Sequence, residues 1–134
     1  MSERVFLDAS VVIRYLAEDD PPRALAAAKL IDSDRTLVVS GVVLLETVHA
    51  LRTTVGQVNP ELARAVILFV SRENVELVDA DKAHLVAALE WSLASSARRI
   101  PDAIVATTAE QAACDWIATF DEAFSSPTVP SRLL

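Results

Sequence analysis

Short β-branched runs alternate along this chain with longer Ala- and Leu-rich stretches, a rhythm that predicts an α/β fold: a central, mostly parallel sheet of four to five strands flanked by helices. Two further observations bound that expectation. The 134 residues suffice for one compact core and are too few for two ordinary domains, so residues 1–134 are expected to form a single domain. With 52% hydrophobic and 23% charged residues, the chain has enough apolar surface to offset its conformational entropy, which excludes a disordered protein.

Each element follows from local pattern. Val5-Phe6-Leu7 reads as a buried first strand and Ala9 to Leu16 as the helix after it, halted by Glu-Asp-Asp-Pro-Pro at positions 18 to 22. A second helix is predicted over Arg23 to Ile31, and a second strand over Leu37 to Ser40. Val42 to Thr54 reads as a helix in which Leu44, Val48, Leu51 and Val55 form one apolar stripe, the last just past its end. Asn59-Pro60-Glu61 marks the cap and start of another helix running to Val70 or beyond. Val75 to Val78 is the expected third strand, Asp81 to about Ala94 and Asp102 to Ala113 two more helices, and Trp116 to Thr119 the fourth strand. The tail from Ser125 to Leu134 carries no decisive pattern.

Composition removes several function classes. Twelve Lys and Arg against nineteen Asp and Glu give a formal charge of −7, which argues against holding nucleic acid on a broad basic surface and leaves only local contact. Cys114 stands alone, so neither an internal disulfide nor a cysteine-built zinc site is available, and a reducing, cytoplasmic setting is expected. The N-terminus reaches Asp8 before any apolar run of signal-peptide length, and the stretch from Leu37 to Leu45 is far shorter than the about 20 residues that span a bilayer, so no membrane association is expected. Two glycines, Gly41 and Gly56, cannot build a Gly-rich phosphate loop.

Four acids stand at equivalent places. Asp8 follows the first strand, Glu46 lies in the second turn of the helix after the second strand, Asp102 opens a helix behind Pro101, and Asp121 follows the fourth strand. In an open parallel sheet the loops leaving the carboxyl ends of the strands share one edge, where ligands bind, so these four carboxylates are expected to converge. Each also has a plainer explanation. Asp8 and Asp102 stand where Asp caps helices, Asp121 where Asp makes turns, and Glu46 could flank its helix in solvent. The turn before Glu46, Val42 to Leu45, is apolar all round, however, and implies a buried helix end in which a carboxylate needs a partner. The only lysines are Lys29 and Lys82, and Arg14, Arg52, Arg98 and Arg99 lie in flanking elements, so a cation is the natural neutraliser of the cluster. Carboxylates alone suit Mg²⁺ or Mn²⁺; His49 and His84 form no pair with metal-ligand spacing.

The residues from Val5 to Leu16, with Asp8 followed two positions on by Ser10, resemble the opening of PIN-domain nucleases. Ser40 with Leu44-Leu45-Glu46 is similar to the family's second acidic motif, Pro101 to Ala106 to its third, and Ala118 to Phe124 to its fourth. The match spans nearly the whole chain, and the small size with no appended domain resembles the VapC-type toxins of toxin and antitoxin pairs. One departure stands before the third acid, where family members often place Gly and a further polar or aromatic residue and this chain has Ser95-Ser96-Ala97-Arg98-Arg99-Ile100-Pro101.

The resemblance implies a PIN-like fold and a metal-dependent endoribonuclease in which Asp8, Glu46, Asp102 and Asp121 hold Mg²⁺ or Mn²⁺ and hydrolysis leaves a 5′-phosphate and a 3′-hydroxyl. Ser10 and Thr119 would hydrogen-bond those ligands. Arg14, Arg52, Arg98 and Arg99 would contact phosphates of the RNA. The implied partners are the RNA substrate, a VapB-type antitoxin laid across the groove, and a second copy in a homodimer. Two rivals remain: a catalytically silent PIN-like binding module, and a phosphoryl-transfer α/β protein. The latter needs a second acid beside Asp8 and a Lys near the last strand, where this chain has Ala9-Ser10 and Thr119.

Overall fold

Val5, Phe6 and Leu7 are fully buried, a continuous apolar run of the kind that occupies the middle of a parallel sheet covered on both faces. The computed structural model describes residues 2–134 and centres its sheet on that run. Strands β1 (Arg4–Leu7), β2 (Thr36–Val39), β3 (Val75–Leu77), β4 (Trp116–Thr119) and β5 (Ser131–Leu133) lie in the order β3-β2-β1-β4-β5, every pairing parallel. Helices α1 (Ala9–Ala17), α2 (Pro21–Ile31), α3 (Gly41–Ala50), α4 (Asn59–Val70), α5 (Lys82–Leu93) and α6 (Ile100–Gln111) connect them. The single-domain α/β architecture expected from the chain's rhythm is the one observed. The core packs Val11, Val12, Ile31, Phe69, Val105 and Ala109 against the sheet residues Leu37 to Val39 and Ile117. Among the described residues no helix is long and apolar enough to cross a membrane.

Several boundaries depart from the pattern reading, each for a physical reason. α2 begins at Pro21, two residues before the expected start, because proline is tolerated in a first turn where its missing N–H would be unpaired anyway, and the Asp20 side chain accepts from the Arg23 N–H at 3.3 Å. The single helix expected over Val42 to Thr54 is α3 followed by a π-helical turn, Leu51–Val55, closed by Gly56 at φ 77°. α6 starts at Ile100, so Asp102 lies within its first turn instead of opening it. The tail forms β5, whose Leu133 pairs with Thr119.

The apolar turn before Glu46 is the clearest correction. Val42 and Leu45 are 44% and 70% exposed, because α3 lays one face on the molecule, burying Val43 and, one turn on, Thr47. The expected stripe holds in part: Leu51 is buried and Leu44 packs on the core, whereas Val55 is exposed.

Candidate active site

The sheet's own topology places the site. From central β1 the chain runs outward to β2 and β3, then returns to build β4 and β5 on the other side, so β1 and β4 flank a switch point whose crevice opens at their carboxyl ends. Asp8 leaves β1 there and Asp121 leaves β4. Ser40 starts α3 from the end of β2, its hydroxyl accepting from the Val43 N–H at 3.2 Å, which brings Glu46 to the same edge. α6 leads back down to β4, so its first turn delivers Asp102 there as well. All four acids line one cavity of about 270 Å³, together with Ser10, Ile13, Arg99, Pro101 and Val105.

Asp8 is held by hydroxyls. Its Oδ2 accepts from Ser10 Oγ at 3.0 Å and from Thr119 Oγ1 at 2.9 Å. Those oxygens in turn accept from the backbone N–H groups of Phe120 and Asp121, both at 3.0 Å, which turns each hydroxyl proton toward Asp8. The network ties the exit of β1 to that of β4. Asp8 stands at the cap position of α1 but its side chain makes no cap hydrogen bond, so simple capping does not describe it. Burial raises its pKa, the two hydroxyls oppose that shift, and nearby Asp102 adds to it. Glu46 is also raised, by partial desolvation and then by the charges of Asp8 and Asp102.

On the other side Arg99 joins two acids. Asp102 is buried, and its Oδ2 accepts from Arg99 Nε at 3.0 Å and from the Ser125 N–H at 3.2 Å, with Arg99 Nη2 at 2.9 Å. The same Nη2 donates to Asp121 Oδ2 at 2.8 Å. This hydrogen bond holds the Asp121 pKa below its ordinary value, helped by the Ala123 N–H on Asp121 Oδ1 at 2.9 Å. Asp121 is therefore a turn residue and a partner of Arg99 at once.

The remaining arginines lie elsewhere. Arg14 faces Asp19 at 3.3 Å beside a neighbouring cavity that shares Ser10 and Ile13 with the acidic one. Arg98 stacks on Trp91, 4.8 Å from the ring centre, and donates to the Trp91 carbonyl at 3.0 Å, while Arg52 is exposed on the π-helical turn. Neither lines the acidic cavity. His84 is occupied by Asp81 at 2.7 Å. Sequence reasoning missed the bridging place of Arg99 and the Ser125 N–H, since neither a side-chain direction nor the path of a loop has a pattern to read.

The donor set suits a hard divalent cation: four carboxylates, none replaced by sulfur or imidazole. Among the described residues no three acidic, His or Cys side chains close on a common point, and the cation between Asp102 and Asp121 is the guanidinium of Arg99.

No curated protein sequence matches the chain. Solved structures share its fold. The sarcin–ricin-loop-cleaving toxin VapC20 of Mycobacterium tuberculosis is similar at TM-score 0.73 and 20% identity, over 90% of this chain and 92% of that one. VapBC2 of Rickettsia felis, solved bound to a DNA fragment from its promoter, gives 0.72 and 14% over 97% and 98%. PAE2754 of Pyrobaculum aerophilum gives 0.65 and 18% over 98% and 92%. The family model described as the PIN domain matches residues 5–128, from the first residue of the buried β1 run to the turn before β5, and the chain belongs to the PIN-domain family.

Proposed function

We propose that this chain is a metal-dependent endoribonuclease and the toxin of a VapBC-type pair, acting in the cytoplasm. The observation that carries the reading is the meeting of Asp8, Glu46, Asp102 and Asp121 around one cavity at the carboxyl edge of the sheet. These four would hold Mg²⁺ or Mn²⁺, which supplies activation of the attacking water and neutralisation of the scissile phosphate. The protein's share is positioning. Ser10 and Thr119 fix Asp8, Ser125 and the first turn of α6 fix Asp102, and Glu46 sits at the rim where an RNA strand enters.

Two apolar surfaces support partners. α5 buries only Ala88 and leaves Leu85, Val86, Leu89 and Leu93 exposed, a face suited to a second copy of the chain. Between α3 and α4, Val48, Leu62, Ala63, Val66 and Ile67 line an apolar groove of about 420 Å³, suited to an amphipathic segment of a VapB-type antitoxin.

Analysis of product ends tests the activity. Structured RNA incubated with the protein and Mg²⁺ or Mn²⁺ should yield 5′-phosphate products, and chelator should stop cleavage. Products ending in a 2′,3′-cyclic phosphate would show attack by the RNA's own hydroxyl and overturn the reading. Glu46→Gln keeps the side chain's shape, removes its charge, and is expected to lower turnover by at least about 100-fold while the protein stays folded.

A further inference from the structure

Four carboxylates line the cavity, and among the described residues that line it one side chain is cationic, Arg99. Its position is unusual for the element it belongs to. Arg99 occupies the cap position of α6, makes no cap hydrogen bond there, and puts positive charge at the end of a helix whose dipole disfavours it. What holds it is the pair of acids: Nε and Nη2 reach Asp102 at 3.0 and 2.9 Å, and Nη2 reaches Asp121 at 2.8 Å. The Asp102 side chain is 8% exposed and needs a cation; the Arg99 side chain is 45% exposed and free to leave.

We propose that Arg99 is the resting counter-ion of this site, that a divalent cation binds by displacing it from Asp102 and Asp121, and that the released guanidinium then binds a phosphate of the RNA. The inference rests on the metal-dependent nuclease reading and adds an exchange to it. A guanidinium and a divalent cation call on the same carboxylates, so occupancy by one opposes occupancy by the other. Once freed, the planar fork stands at the mouth of the cavity with donors matched to two phosphate oxygens. Without metal, Arg99 Nε and Nη2 are committed to the two carboxylates.

Mn²⁺ titration by calorimetry, without RNA, tests the exchange in wild type, R99Q and R99K. R99Q is expected to bind Mn²⁺ about tenfold more tightly than wild type, and R99K in between, because lysine keeps the charge and loses the two-carboxylate fork. Equal affinity in all three, or tighter binding by wild type, overturns the exchange while leaving the nuclease reading intact. If no variant binds Mn²⁺, the metal site itself fails and the exchange with it. Nuclear magnetic resonance of the Arg99 Nε–H gives a check on wild type alone: a signal protected in chelator should shift and lose protection on adding Mg²⁺, and one that does not move overturns the proposal even if R99Q fails to fold.

Discussion

Asp8 shows how one carboxylate can destabilise the fold it completes. Its folded-state pKa is raised, mainly by burial, so between its unfolded and folded values the native protein binds more protons than the unfolded chain. Stability from this group is therefore lost as pH rises through that window. Asp121 has the opposite sign, since Arg99 lowers its pKa and its contribution is lost as pH falls. Substituting one residue separates the two. In chelator, Asp8→Asn is expected to be more stable than wild type by on the order of 1 kcal/mol at neutral pH, with the difference shrinking toward pH 4, because the amide oxygen still accepts from Ser10 and Thr119. Urea titrations of both proteins across that range measure it; a difference independent of pH would refute the assignment. Cys114 gives a second test at this scale. Burial pushes its thiol to about 11, so at pH 8 the native protein should react with a thiol-specific disulfide reagent more than about 100-fold more slowly than the unfolded chain.

Among elements, α3 matters most to the site, and it depends on Ser40. That residue is 5% exposed and pairs its hydroxyl with the Val43 N–H, so Ser40→Ala removes a cap and leaves a buried donor short of its partner. A loss of about 1 to 2 kcal/mol is expected in thermal unfolding, with a larger fall in turnover as Glu46 loses its placement. The approach of the acids was legible in the sequence because it follows from where strands end, and strand ends are marked by apolar runs such as Val5 to Leu7 and Trp116 to Thr119. Two features were not. Val42 and Leu45 read as buried because an apolar run marks burial only on average, and much of any folded surface is itself apolar. β5 was hidden because Ser131-Arg132-Leu133 is a short edge strand, ordered by its pairing with β4 and not by propensity. The place of Arg99 is set by a rotamer and two distant acids, neither of which leaves a trace in spacing.

For the molecule as a whole, the charge of −7 bears on the proposed RNA substrate. A surface repelling phosphates at a distance must bind through few local contacts, so the salt dependence of RNA affinity in the metal-loaded protein should be shallow. Two or three phosphate contacts correspond to a slope of log K against log salt of roughly −1.5 to −2 for single-stranded RNA. A slope of −5 or steeper would require many phosphate contacts and refute this expectation. The parallel sheet has a different consequence, in time. Asp8 and the Thr119 hydroxyl that orients it are 111 positions apart, and the ladder joining their strands runs from Val5 with Trp116 to Leu7 with Ala118. At a synthesis rate of about 5–20 residues per second, roughly 6 to 22 seconds pass between the making of one half of this ladder and the other. During that interval a nascent chain has the first acid and no cavity. Chains cut short anywhere before β4 thus lack Asp121 and the Thr119 hydroxyl, and the four-acid cavity is complete only with the last stretch of translation.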